Sequence, residues 1–520
     1  MSSYRIGIDV GGTHTDAVIL DESYNVISEV KAPTTEDVSS GIYNAMKEVV
    51  ASADVPVEKI KFAMLGTTHC TNAIVERKRL NRVAIIRIGA PATLAIKPLV
   101  GVPEDLKTIL GKHVYLVRGG HEFDGREIVE LDEQHIYQIA EEIKGQVDSV
   151  AIVSVFSPVS DTHETRAAAI LAEVLGNDVA LSMSNEIGSV GLLERENATI
   201  LNAAIVDVAR STADGFVQAL KQEGIHAKVF FGQNDGTLMS VEYTVKYPIL
   251  TIACGPTNSL RGASYLTEQS DAIVVDVGGT TTDVGVLIGS FPRQSSLAVE
   301  IGGVRTNFRM PDISAIGLGG GTIVQINDDR SFQIGPESVG HKLHEKSLIF
   351  GGDTLTTTDI AVALGKAELG NPEHIAHLDK ALLEKIYAEM IGMVEESIDK
   401  MKTSAEPVPV ILVGGGSILF PAELKGASEV IKPNNSGVAN AIGSAISQVS
   451  GQIERIFSLD ELGREKTLEA AKEMARQEAI NAGADPDDLV IVDFEDVPLA
   501  YLPGDATKIR AKAAGALAIG

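Results

Sequence analysis

Tryptophan is absent from the 520 residues, and aromatic side chains make up only 4% of them. A protein that binds its partners through broad aromatic surfaces is therefore not expected. Cysteine is almost as scarce. Cys70 and Cys254 stand alone, and one disulfide would stabilise a chain of this length little, so both are read as buried, reduced thiols. Positive charge is also short, with 44 Lys and Arg against 71 Asp and Glu, a net charge of −27. A surface this acidic repels phosphate backbones and excludes a general nucleic-acid binder. No apolar run reaches the roughly 18 residues of a membrane span. Met1 to Val10 leads straight into a strand, without the basic start, apolar stretch and cleavage site of a leader; the cytoplasm is the expected compartment. No G-x-x-x-x-G-K-[ST] occurs, which removes the P-loop class. The glycines of Gly317 to Thr322 (GLGGGT) lack dinucleotide-fingerprint spacing.

Glycine, by contrast, is plentiful at 50 residues, and the hydrophobic share of 44% is that of an ordinary globular protein. The length predicts roughly two to four domains. The organising feature is a repeat. Asp9 to Asp16 reads DVGGTHTD and Asp276 to Asp283 reads DVGGTTTD, identical at seven of eight positions. Each copy follows an Ile- and Val-rich run (RIGIDV, AIVVDV) and continues into another apolar run. The pattern predicts strand, glycine turn, strand, twice.

The residues of this turn suit a phosphate. Adjacent glycines leave backbone N–H groups bare for close approach, and the threonine hydroxyls add donors. Gly11, Gly12, Thr13, His14 and Thr15 in the first copy, and Gly278, Gly279, Thr280 and Thr281 in the second, are the candidate phosphate contacts. Asp9 and Asp276, each ending a buried strand, are candidate holders of a hydrated Mg²⁺, because hard cations prefer carboxylate oxygens. A plain Gly-Gly hairpin explains one copy as well; two near-identical copies favour one nucleotide, ATP, held between them. Because the whole chain is acidic, that anion must be met by local donors and a metal.

Further candidates are less specific. Val408 to Val413 predicts a strand ending in Gly414, Gly415, Gly416 and Ser417, suited either to a base and ribose lying on bare backbone or to a tight β–α turn. Ile60 to Leu65 predicts a strand running into a helix start, where Thr67, Thr68, His69 and Asn72 offer donors to a polar or anionic substrate or simply cap the helix. His69 is a candidate acid or base, or a structural ring. His14 contacts phosphate or substrate, or is a partly exposed ring. His341/His344 and His374/His377 have helical spacing but no third ligand nearby, so no metal site is expected there. Glu194, Arg195 and Glu196 read as a charged helix start, and Asp359 as a helix cap.

The order of two phosphate turns and then an adenosine-type glycine cluster resembles the actin/Hsp70/sugar-kinase ATPases. Within that class the chain is similar to the hydantoinase A/5-oxoprolinase family. The resemblance rests on GIDVGGTHTD from Gly7, with His14 where the family usually has Phe, and on GTTHCTNAIVERK from Gly66. It continues through ERENATILNA from Glu194, ACGPTNSLRGA ending at Ala263, IGPESVG from Ile334, TTTDIAVALG from Thr356 and SGVANAIGSA from Ser436. It covers about residues 4–450. The tail beyond about 457 and the segment His341 to Gly352 depart from the family pattern.

The resemblance implies an α/β fold of duplicated ribonuclease-H-like ATPase halves around a cleft. It also implies ATP-dependent opening of a cyclic amide or imide, with Asp9 and Asp276 organising the metal. A hydantoinase B-type partner subunit is associated with the hydrolytic half. An ATP-dependent ketone carboxylase subunit, a small-molecule kinase and a nucleotide-switched regulator are the alternatives; an iron–sulfur activator is disfavoured by two cysteines. The expected division is 1–75 for the first ATPase half, 76–180 for an inserted α/β substrate-side lobe, 181–456 for the second half and 457–520 for a C-terminal α+β appendage. Long helices are predicted at Pro372 to Lys402 and Asp460 to Ala482. A short strand, Leu489 to Val492, and a Tyr-Leu-Pro-Gly turn complete the appendage, which is available for homo-oligomer or partner contact.

Overall fold

The structure, a computed structural model, describes residues 3–11, 13–34, 38–295, 298–500 and 505–518. Gly12 and the Tyr-Leu-Pro-Gly segment lie outside the described residues.

The chain opens with β1 (Tyr4–Val10), buried without interruption from Ile6 onward, the mark of a central strand covered on both faces. It turns into β2 (His14–Leu20), antiparallel, with Asp9 opposite Asp16, and then β3 (Val26–Pro33). After a covering helix (Val38–Ala53), β4 (Ile60–Gly66) returns parallel to β1 and brings Gly66 beside Asp9. The helix His69–Glu76 begins three residues later.

A parallel four-stranded lobe follows, built from β5 (Val83–Ala90), β6 (Val114–Arg118), β7 (Ser149–Ser154) and β8 (Ala180–Met183), in the order β6-β5-β7-β8. The helix Leu192–Ala204 packs on one face of it, mainly against β7 and β8. The expected charged helix start is instead buried. Arg195 and Glu196 are fully enclosed, Glu196 taking Arg87 Nε and Nη2 at 2.6 Å each. Arg195 donates to Ser184 and to the carbonyls of Ser154, Ser189 and Val190. Burial is tolerable because every charge has distant partners, which a local reading does not reveal.

Beyond a helix (Val206–Gln222), β9 (Lys228–Gly232) and β10 (Leu238–Ser240) rejoin the first sheet, β9 lying parallel to β4. The helix Cys254–Thr267 then leads to the second half. There β11 (Ala272–Val277) and β12 (Thr282–Ile288) repeat the first hairpin, with Asp276 opposite Asp283. Next come β13 (Phe291–Pro292), the hairpin β14 (Val299–Ile301) and β15 (Val304–Thr306), β16 (Ile313–Ile316), and the hairpin β17 (Thr322–Ile326) and β18 (Phe332–Ser338). Strand β19 (Val408–Val413) runs parallel to β11, flanked by β20 (Ala427–Ile431).

Two helices here differ in outcome. Asp359 forms a capping box with Thr356 at the helix Thr357–Ala363. The helix expected from Pro372 starts only at Lys380, because Asp379 caps it through the Ala381 and Leu382 N–H groups; Pro372–Ile375 is a separate 3₁₀ turn.

A helix (Ala439–Ile446) crosses back, and β21 (Val449–Ser458), β22 (Ala484–Pro498) and β23 (Ala506–Leu517) complete a nine-stranded sheet ordered β22-β23-β21-β10-β9-β4-β1-β2-β3. Thus the tail extends the first sheet, and residues 228–240, allotted from sequence to the second half, pair within the first. Strand pairing recruits segments from remote stretches, and interleaving of this kind leaves no compositional boundary. The predicted helix from Asp460 is broken at Gly463, where φ is +76°, and runs as Arg464–Asn481. Its Ala471, Ala475 and Ala479 lie against the sheet. The predicted short strand is a fifteen-residue edge strand, β22, whose exposed acids blunt the edge against further pairing. No described helix is long and apolar enough to cross a membrane.

The halves meet at two crossing helices. A Cβ on Gly262 would overlap the Ala439 carbonyl, and one on Gly443 would overlap the Asn258 carbonyl. Only glycine permits this approach.

Candidate active site

Both repeated turns close the same way. Gly11 N–H donates to His14 O at 2.9 Å, and Gly278 N–H to Thr281 O at 2.9 Å. Each half also ends its neighbouring parallel strand in glycine where the aspartate needs room. A Cβ on Gly66 would overlap Asp9 Oδ1, and one on Gly414, at φ +84°, would overlap Asp276 Oδ1. The two turns touch across the cleft, Gly279 facing the Thr13 side chain.

Between them lies a cavity of about 840 Å³. Asp9, Gly11, Thr13 and His14 line it from the first turn, and Asp276 with Gly278 to Thr281 from the second. Gly414, Gly415 and Gly416 line it too, as do Thr67 and Thr68, joined by Thr71. Several candidates lie elsewhere. Thr15 is fully buried behind the turn, its hydroxyl 3.3 Å from that of Thr34. Ser417 is buried in the 3₁₀ turn that follows the third glycine cluster. His69 and Asn72 are not among the lining residues: His69 Nδ1 meets the Thr67 hydroxyl, and Asn72 Nδ2 reaches Thr68 Oγ1 at 3.4 Å.

The carboxylates are held by groups from the crossing helices. Asn258 Nδ2 donates to Asp9 Oδ1 at 2.9 Å; Asn440 Nδ2 donates to Asp9 Oδ2 at 3.0 Å and to Asp16 Oδ2 at 2.9 Å. Ser259, the next residue after Asn258, donates its hydroxyl to Asp276. One helix therefore positions both leading aspartates. Lys31 Nζ lies 2.5 Å from Asp16 Oδ1.

Burial raises the pKa of Asp9 to about 6, against the lowering effect of the Asn258 amide, with the neighbouring Asp16 charge adding to the rise. Burial likewise raises Asp276, opposed by the Ser259 hydroxyl and Lys31. Asp283 is pushed up to about 7 by burial and then by Asp276. His14 is lowered, by burial first and then by Lys31. Four aspartates thus crowd one centre at a cost that a divalent cation would relieve. Its donors are carboxylate oxygens, the chemistry that suits Mg²⁺. The bare glycine walls and cavity volume suit a nucleoside triphosphate.

Cys70 and Cys254 are both free and buried, burial lifting their thiols to about 11 and about 12. They are inert groups.

Asp16, Asp283, Lys31, Asn258, Ser259 and Asn440 escaped the sequence reading. The first two close the repeated octapeptide, and that repetition was the available signal. The other four act through cross-strand register and helix crossing, which carry no local motif.

Two matched α/β halves around a glycine-walled, carboxylate-lined cleft define the duplicated ATPase class of fold. The comparisons are specific within it. Residues 5–175 match the hydantoinase/oxoprolinase N-terminal region and residues 195–386 match the hydantoinase/oxoprolinase domain. The chain belongs to the hydantoinase/oxoprolinase family. It is similar to the caprolactamase subunit alpha of Pseudomonas jessenii, 27% identical over 70% of this chain and 54% of that protein, so it spans about half that relative's length. It is also similar to the acetophenone carboxylase gamma subunit of Aromatoleum aromaticum, 25% identical over 93% of this chain and 75% of that protein. The solved structure of an ATP-dependent caprolactamase from Pseudomonas jessenii has the same fold. It matches with TM-score 0.79 and 20% identity over 99% of this chain and 88% of that one.

Proposed function

We propose that this chain is an ATP-dependent amidohydrolase subunit that phosphorylates and opens a cyclic amide or imide of the hydantoin, 5-oxoproline or lactam type. The observation that carries the reading is one cavity lined by both Asp-Val-Gly-Gly-Thr turns and by the threonines at the start of a helix. The ring amide is a poor electrophile, and phosphoryl transfer depends mainly on positioning and charge stabilisation. The amides and hydroxyls of Thr13 and Gly279 to Thr281 cradle the phosphates, while Gly414 to Gly416 receive the nucleoside. Thr67, Thr68 and Thr71 hold the ring near the first turns of the His69–Glu76 helix. The carbonyl oxygen of the ring amide takes the terminal phosphoryl group and ADP leaves. Water then adds to the ring carbon, the C–N bond breaks with the nitrogen taking the proton, and a second water releases phosphate. Mg²⁺, held by Asp9 and Asp276, would neutralise phosphate charge in the transfer. The hydrolytic half is assigned to a B-type partner subunit, a reading supported by relatives named as subunits.

A ketone carboxylase subunit is the second reading, favoured by the 93% coverage of this chain by the acetophenone carboxylase relative. Purified protein incubated with Mg-ATP and a panel of hydantoins, 5-oxoproline, lactams and ketones distinguishes them by ADP release. Stimulation by a cyclic amide is the expected result. Stimulation only by a ketone with bicarbonate would replace it with the carboxylase.

A further inference from the structure

Among the described residues the cavity is lined by five acids, Asp9, Asp16, Asp276, Asp283 and Glu300, and by one Lys or Arg, Lys31. A triphosphate entering so acidic a space is met by partial charges of backbone N–H groups and, in the reading above, by one divalent cation; a side-chain cation adds a full charge that stays with the protein.

The duplication makes Lys31 conspicuous. In the first half, Asp16 on β2 pairs in register with Lys31 on β3. In the second half, the equivalent Asp283 on β12 pairs with Ala315 on β16. The cation is thus present on one side of the pseudo-symmetric site and missing from the other. Its stem also crosses the cleft. Lys31 Cε would lie 3.6 Å from a Cβ on Gly415, in the third glycine cluster, and 3.9 Å from one on Gly437, both lining the cavity. The ammonium group therefore sits between the first phosphate turn and the third glycine cluster. The side chain is about one-third exposed, while Asp16 is almost fully buried. Asp16 has a second donor in Asn440 Nδ2, so Lys31 can turn away without leaving that carboxylate unpartnered.

We propose that Lys31 binds the nucleotide's phosphates, exchanging Asp16 for a phosphate oxygen when nucleotide enters. The inference rests on the nucleotide reading above and names the residue that discriminates a phosphorylated ligand from its bare nucleoside. A lysine suits this task as a compact point charge on a flexible stem.

Mg-ATP and adenosine are titrated into the full chain by calorimetry, for the wild type, Lys31→Met, Lys31→Arg and the double variant Lys31→Met/Asp16→Asn. Thermal unfolding without ligand is recorded for each. Lys31→Met is expected to weaken ATP about tenfold or more and adenosine less than about twofold. Lys31→Arg restores most of the loss. The double variant, which leaves no unpaired carboxylate, unfolds like wild type yet keeps the ATP defect. ATP affinity unchanged in Lys31→Met, or ATP and adenosine weakened equally in the double variant, would overturn the assignment. Wild-type protein that binds adenosine but not ATP, or neither, overturns the nucleotide reading itself and this inference with it.

Discussion

The aspartate that ends each repeated octapeptide meets a different environment in the two halves. The Asp16 carboxylate has a lysine and an amide, whereas the Asp283 carboxylate has no hydrogen-bond partner among the described residues and faces the cavity. Folding raises the Asp283 pKa from 3.8 to about 7. Across that window the native state keeps a proton that the unfolded chain has released. This group's contribution to stability therefore falls as pH rises and levels off above about 7. Asp283→Asn should raise the ligand-free melting temperature clearly at about pH 8 and much less at about pH 5. An equal shift at both values would contradict the assignment. Mg²⁺ should reproduce part of the gain in the wild type at the higher pH. The two octapeptides carry both aspartates at their ends, yet only the leading Asp9 and Asp276 are singled out from sequence, because a closing aspartate after two threonines reads as the start of the next strand. Lys31 is not singled out either, because its link to Asp16 exists only through the register of β2 and β3.

The crossing helices Cys254–Thr267 and Ala439–Ile446 tie the halves together and supply Asn258, Ser259 and Asn440 to the aspartates. Gly443→Val would drive a side chain into the Asn258 carbonyl, a backbone atom with little room to retreat. It is expected to cost about 3 kcal/mol or more and to weaken nucleotide binding as Asn258 and Asn440 move. Denaturant unfolding and ATP titration of that variant check both effects, and near-wild-type stability would show that the helices can separate. At this scale the sequence was uneven. The hairpins and β19 were readable because apolar runs ended in glycine turns, and Asp359 was readable as a cap. The Lys380–Met401 helix was placed too early, since a proline at 372 resembled a helix start while the true cap was Asp379. Arg195 and Glu196 read as a charged helix start because the partners that permit their burial are set by the fold: Arg87, more than a hundred residues away, pairs with Glu196, and Arg195 donates to Ser184 and the Ser154 carbonyl.

At the scale of the molecule, a chain of net charge −27 brings its two repeated glycine turns to one cleft, which the proposed function gives to a single nucleotide. The duplication was legible because the octapeptide repeats almost unchanged. The assembly of the first half from 3–66, 228–240 and 449–517 was not, because β-pairing between distant segments leaves no mark on local composition. The central claim is that the two turns make one nucleotide site. Its most direct test is the stoichiometry of Mg-ATP binding by calorimetry, for the wild type, for Asp9→Asn and for Gly279→Val, whose side chain would collide with Thr13. The account predicts one ATP per chain, with that same site weakened by either change. Two independent sites, each lost with its own turn, or no binding in the wild type, would contradict it.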